Sequence, residues 1–167
     1  MSKFIGLGTN LPLADQRNGQ KILFDALEVL NAAGLNTVAI SDFYRTEPVP
    51  VSDQNWYVNA VAEIQTDLSP ERVLETLHRV EAEFGRVRGE RNAARTLDLD
   101  IIAFDSLVTP ETGPAPHIPH PRMQDRAFVL IPLADVSPRW CHPVTGASLS
   151  ELIDRLPTGQ RIEPLEV

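Results

Sequence analysis

The chain has one cysteine, Cys141, and only two lysines, Lys3 and Lys21. A single cysteine excludes an internal disulfide and suits a reducing compartment. No apolar run approaches the ~20 residues that span a bilayer. Met1-Ser2-Lys3-Phe4 leads straight into sequence of folded character, so no signal peptide is expected. A cytoplasmic location without a membrane partner is therefore expected. Net positive charge is also lacking: the balance is −8, which argues against general binding to nucleic acid or to an acidic lipid surface. Common nucleotide signatures are missing too. "GLGTN" at Gly6–Asn10 has neither the GK[ST] ending of a P-loop nor the third glycine of a dinucleotide fingerprint, and reads as a tight exit from a strand. No Cys/His cluster of zinc type and no arrangement of Ser, Cys and His fit for covalent catalysis can be found.

What is present is a chain of 167 residues, 43% hydrophobic and 23% charged, long enough for one domain (1–167) with a real core. Of its fifteen basic residues the two lysines leave thirteen arginines, and Arg86, Arg88, Arg91 and Arg95 fall within one short segment. Arginine favours planar, bidentate contact with phosphate or carboxylate oxygens. Such a patch in an acidic protein suggests a small anion, although a solvated loop would carry the same composition. The fourteen prolines gather at Pro48–Pro50, Pro110–Pro121 and in the last thirty or so residues, as in ordered loops.

Periodicity supplies the elements. "KFIGLG" reads as a short strand that stops at its glycines. Ile22, Ala26, Val29, Leu30 and Ala33 form a helical stripe closed by Gly34. "NTVAISDFYRT" is rich in β-formers, with an alternation that slips between Ile40 and Phe43, so a bulge or bend is expected there. In "WYVNAVAEIQT", Trp56, Val58, Ala60, Ala62 and Ile64 share one face, and Tyr57, Asn59, Val61, Glu63 and Gln65 the other. Ser69-Pro70 is an N-cap followed by a first-turn proline, and Val73, Leu77, Val80 and Phe84 continue that helix to Gly85. Leu97, Leu99, Ile101 and Ala103 then alternate as a last strand. The order β-α-β-β-α-β predicts an α+β fold of ferredoxin-like split βαβ type, mainly antiparallel, with helices on one face and the other open. Helical stretches near Arg126–Leu133 and Ser148–Leu156 would be C-terminal additions, and Trp140, Cys141 and His142 read as structural.

On that last strand Asp98 and Asp100 point the same way, about 7 Å apart at Cα, onto the open face. Two like charges so close repel unless something is bound between them. Magnesium suits the pair, since it takes one or two carboxylates plus water and substrate phosphates. Alone, an Asp-x-Asp pair is equally an edge strand with solvated acids. With the arginine segment directly ahead of it, the pair matches the needs of phosphoryl transfer. Two classes stay open on these residues: a magnesium-dependent nucleotidyl- or phosphotransferase, and a non-catalytic ligand-binding module on a ferredoxin-like sheet.

"RNAARTLDLDII" (Arg91–Ile102) resembles the signature of the 6-hydroxymethyl-7,8-dihydropterin pyrophosphokinase family, an enzyme of folate biosynthesis. The likeness runs in order through "GLGTN", "FYRTEPV", "DQNWYVNAV", "HRVEAEFGRVR" and "IPHPRMQDRAFVLIPLADVSP", from about Ile5 to Pro138. It implies that the pterin hydroxymethyl oxygen attacks the β-phosphorus of ATP, giving the pterin diphosphate and AMP. By the same resemblance Asp98 and Asp100 hold two Mg2+ ions, and Arg86 and Arg95 contact the phosphates. His120 and Arg126 complete the nucleotide side, and Glu81 and Ile101 lie near the nucleoside. The pterin is sandwiched between Tyr57 and Phe128, and Asn59 reads its edge, helped by backbone groups around Thr46 and Val49. The Arg86–Arg95 segment is one residue shorter than in better-known members and has Asn92 in place of a capping tryptophan. His78 stands where glutamine is familiar and Pro121 where some members have tyrosine. No partner beyond these small molecules is expected, and a monomer is.

Overall fold

A computed structural model of the chain describes residues 2–10, 16–48, 56–85 and 97–165, with backbone alone for 16–18. Its frame is one sheet of six strands: β1 (Lys3–Asn10), β2 (Asn36–Ile40), β3 (Tyr44–Thr46), β4 (Tyr57–Gln65), β5 (Asp98–Phe104) and β6 (Ile162–Pro164). The order across the sheet is β5-β1-β4-β3-β6, with β2 also on β4 and every pairing antiparallel. The slip foreseen between Ile40 and Phe43 is the break between β2 and β3, which pair successively with the same strand, and a register shift between Thr37 and Ala39 adds to it.

Helix α1 (Gln16–Ala32) and helix α2 (Pro70–Glu83) lie on one face. The stripe of α1 is wider than Ile22, Ala26 and Leu30, because Leu23 and Leu27 are buried as well. Gly34 (φ 95) ends the helix in a Schellman turn: its N–H donates to Asn31, the Leu35 N–H donates to Leu30, and both leucines are buried. At the start of α2, Ser69 accepts the Arg72 N–H and Pro70 fills the first helical position, as expected. Val73, Leu77 and Val80 are fully buried against Ile5, Leu7, Leu99 and Ile101. Each such side chain stabilises the fold by roughly 1.5–3 kcal/mol.

Three expectations need correction. The first strand does not stop at its glycines: β1 continues to Asn10, and Gly6 and Gly8 sit mid-strand, paired on both sides. On β5, Leu99 and Ile101 face the helices, but Ala103 joins Ile102 on the opposite face. The β1–β5 register shifts between Phe4 and Ile5, and the extra β5 residue inverts the alternation beyond it. Nor is the second face open along its length. Helix α3 (Ala127–Val136) and helix α4 (Leu149–Asp154) cover part of it, burying Leu130, Leu133, Leu149 and Leu152 on Phe4, Val61, Ile102 and Ala103. The bulge adds Ala103 to the apolar residues they cover. Trp140 and His142 meet edge to face in this region, and His142 Nδ1 accepts the Val144 N–H, in keeping with a structural role. Among the described residues no helix is long and apolar enough to cross a membrane.

Candidate functional site

The uncovered part of the second face, beside α3, is a cleft of about 280 Å³. Its floor is set by strand register. Gly8 on β1 lies between Asp98 on β5 and Asn59 on β4, and Tyr44 on β3 extends the same row; Gly6 lies beside Asp100. With strands about 4.8 Å apart, the main chains that carry Asp98 and Asn59 stand about 10 Å apart across a glycine. A Cβ on Gly8 would come 2.6 Å from Asn59 Oδ1, and one on Gly6 would come 3.2 Å from Ile102. The glycines are therefore the cleft floor, where side chains would fill the space a ligand needs. The sequence signal was present in the G-x-G alternation, but its meaning depends on the neighbouring strands.

Asn59 is buried, and its Nδ2 donates to the hydroxyl of buried Thr46, which turns the carboxamide oxygen toward Gly8. Tyr57, on the same face of β4, is half-buried at the rim, and Phe128 on α3 also lines the cleft. The Arg126 guanidinium lies 5.4 Å from the Phe128 ring centre. Of the residues singled out from sequence, Thr46, Tyr57, Asn59, Asp98, Asp100, Arg126 and Phe128 are thus brought together in one cleft. Glu47 and Pro48 join them without having been singled out.

Others lie nearby but do not line the cleft. Ile101 puts its side chain into the core. Glu81, on α2, is buried and accepts the Leu99 N–H at 3.1 Å, holding the main chain between the two aspartates. His120 lines a broader groove behind the cleft. Its N–H donates to Ile102 and its Nδ1 accepts the Arg122 N–H, which leaves Nε2–H as the ring donor when neutral. Burial, then Arg126 and Arg122, push its pKa down to about 4, with Asp98 pulling the other way. Arg86, Arg95 and Val49 lie outside the described residues.

Two carboxylates facing one cleft are a hard-oxygen donor set fit for Mg2+. Among the described residues no group of three or more His, Cys, Asp or Glu gathers to enclose a metal. A cation held there would complete its shell with water and substrate oxygens.

The sequence model of the 7,8-dihydro-6-hydroxymethylpterin-pyrophosphokinase family matches residues 4–138. A 2-amino-4-hydroxy-6-hydroxymethyldihydropteridine pyrophosphokinase of Pseudomonas aeruginosa is 41% identical over 154 residues, covering 92% of this chain and 91% of the relative. One of the same name from Methylorubrum extorquens is 36% identical over 165 residues, 96% of this chain and 98% of that protein. A folic acid synthesis protein of Pneumocystis carinii is 36% identical over 153 residues, 92% of this chain but only 20% of that longer protein.

Proposed function

The chain belongs to the 7,8-dihydro-6-hydroxymethylpterin-pyrophosphokinase family, whose enzymes transfer pyrophosphate in folate biosynthesis, and on that footing we propose how its cleft does so. The pterin ring lies between Tyr57 and Phe128, and the ATP tail lies over Asp98 and Asp100. One observation carries the assignment: the Asp98–Gly8–Asn59 row, which sets a metal-binding acid and a ring-reading amide on either side of a bare strip of main chain.

A flat heteroaromatic held between two rings gains from offset stacking beyond its buried area. Asn59 offers a donor and an acceptor to the ring edge, with Thr46 holding its carboxamide in place. Two Mg2+ ions on Asp98 and Asp100, when bound, would neutralise the triphosphate and polarise the transferred group. Arg126, with His120 as a neutral N–H donor, would meet phosphate oxygens, as would Arg86 and Arg95. Glu81 keeps the Asp98–Asp100 main chain in place, and Ile101 offers its main chain beside the nucleoside. The pterin hydroxymethyl oxygen forms a bond to the β-phosphorus as the α–β bridging oxygen leaves with AMP, and the hydroxyl proton is released. Catalysis is positioning plus charge stabilisation.

Strand order β5-β1-β4-β2 around two βαβ halves supports reading the frame as a ferredoxin-like split βαβ fold. The single sheet shared by both hydrophobic clusters supports one domain over 1–167. A cytoplasmic monomer working on small molecules, without nucleic acid or membrane, fits the acidic net charge.

The test is the nucleotide product. With ATP, Mg2+ and 6-hydroxymethyl-7,8-dihydropterin the protein should release AMP in step with pterin diphosphate. ADP as the product would mean transfer of a single phosphoryl group and would refute the assignment.

A further inference from the structure

Helix α3, which carries Phe128, begins without a cap of its own. Arg126 occupies the cap position with no side-chain hydrogen bond to the first turn, and a guanidinium has no acceptor to offer those N–H groups. The acceptor comes from near the other end of the chain. Gln160 Oε1 accepts the Ala127 N–H at 2.9 Å, and Gln160 Nε2 donates to the Asp125 carbonyl at 2.7 Å. One carboxamide thus grips the main chain on both sides of Arg126.

The next residue holds the opposite wall. The Arg161 carbonyl accepts the Glu47 N–H at 3.0 Å, and its guanidinium lies 5.3 Å from the ring centre of Trp56, which Arg45 also approaches at 4.4 Å. Ile162–Pro164 is β6, paired with β3 through Thr46↔Ile162 and tied by the Arg45–Glu163 ion pair. Trp56 directly precedes Tyr57, and Glu47 directly follows Thr46. The wall bearing Tyr57 and the wall bearing Phe128 are therefore joined through two consecutive residues, Gln160 and Arg161.

We propose that the Gln160–Arg161 step fixes the width of the ring slot, and that Gln160 is a positioning residue for the flat heterocycle, acting through Arg126 and Phe128. This rests on the reading that places the pterin between Tyr57 and Phe128. Slot width matters because dispersion is short-ranged: a gap of about 0.5–1 Å on one side forfeits roughly a quarter to a half of the contact energy there. A helix start that must be held by a distant side chain is also a place where a single amide decides the geometry. The nucleotide shares Arg126 with this region but is held chiefly at the opposite end of the cleft, at Asp98 and Asp100, so its binding should register the change less than the pterin's.

The experiment measures two dissociation constants, with Mg2+ and α,β-methylene-ATP present so that no turnover occurs: that of the ATP analogue, and that of 6-hydroxymethyl-7,8-dihydropterin on the analogue complex. Gln160→Ala should weaken the pterin about tenfold and the nucleotide, through Arg126, by no more than about threefold. Gln160→Glu, which keeps an acceptor for Ala127 but loses the donor to Asp125, should fall between. Tyr57→Ala is measured alongside. If Gln160→Ala binds pterin like the parent while Tyr57→Ala does not, the strap is refuted and the slot stands. If both bind like the parent, the slot is refuted and the strap with it. Equal weakening of both ligands by Gln160→Ala would reduce Gln160 to a general stabiliser and overturn the proposal.

Discussion

At the scale of single residues, period-two alternation made the polar side chains of the cleft readable, since it fixes which residues share a strand face. Asp98 with Asp100, and Tyr57 with Asn59, needed nothing more. Gly6 and Gly8 were misread as the end of a strand, because a glycine's role depends on what lies beside it in the sheet, and register across strands is not written locally. Gly8→Ala follows from that register. A Cβ 2.6 Å from Asn59 Oδ1 must displace the carboxamide from its place on Thr46. Pterin affinity should fall by about tenfold or more, the order of one lost buried hydrogen bond, with nucleotide affinity far less changed in the same titration. His120 gives a pH signature. Its folded pKa of about 4 lies below the ordinary value of 6.5, so between those limits the unfolded chain takes a proton that the folded chain refuses. Its contribution is complete above pH 6.5 and is lost as pH falls toward 4. Urea midpoints measured from pH 7 to pH 4 should therefore fall less steeply for His120→Gln than for the parent.

At the scale of elements, the caps of α1 and α2 were legible from Gly34 and Ser69-Pro70, whose effects are local. The β5 bulge was not, because it arises from pairing with β1, yet it is what turns Ala103 to join Ile102 toward α3. The contact between α3 and β3 escaped notice for the same reason. Tyr44, in the row of Asp98, Gly8 and Asn59, donates its hydroxyl to Asp135 on α3 at 2.6 Å, and the Asp42 N–H donates to the same carboxylate. Burial first, then this bond, raises the Tyr44 pKa well above its usual value, so the phenol stays protonated as a donor. Tyr44→Phe should lower unfolding free energy by about 1 kcal/mol, the net worth of one hydrogen bond to an acid that water can partly resolvate. Denaturant titration at pH 7 checks this; an unchanged midpoint would show the link to be idle.

At the scale of the whole molecule, the family resemblance and the α+β frame were readable across most of the chain, while the C-terminal helices read as additions in which only Arg126 and Phe128 had a role. Their use is architectural. α3 and α4 cover part of a face that would otherwise be open, and β6 pairs with β3 at the sheet edge. An acidic protein of net charge −8 binding a polyanionic substrate needs its favourable charge concentrated at the site, since long-range attraction is absent. Everything therefore turns on the two acids of β5. The direct measurement is turnover of Asp98→Asn and of Asp100→Asn at saturating ATP, Mg2+ and pterin, with the thermal midpoint recorded beside it. Each variant should lose about a hundredfold to a thousandfold in kcat, as when one preorganised charge-stabilising group is removed, and should unfold at nearly the parent temperature. Near-parental kcat in either variant would contradict the metal-holding role of that carboxylate.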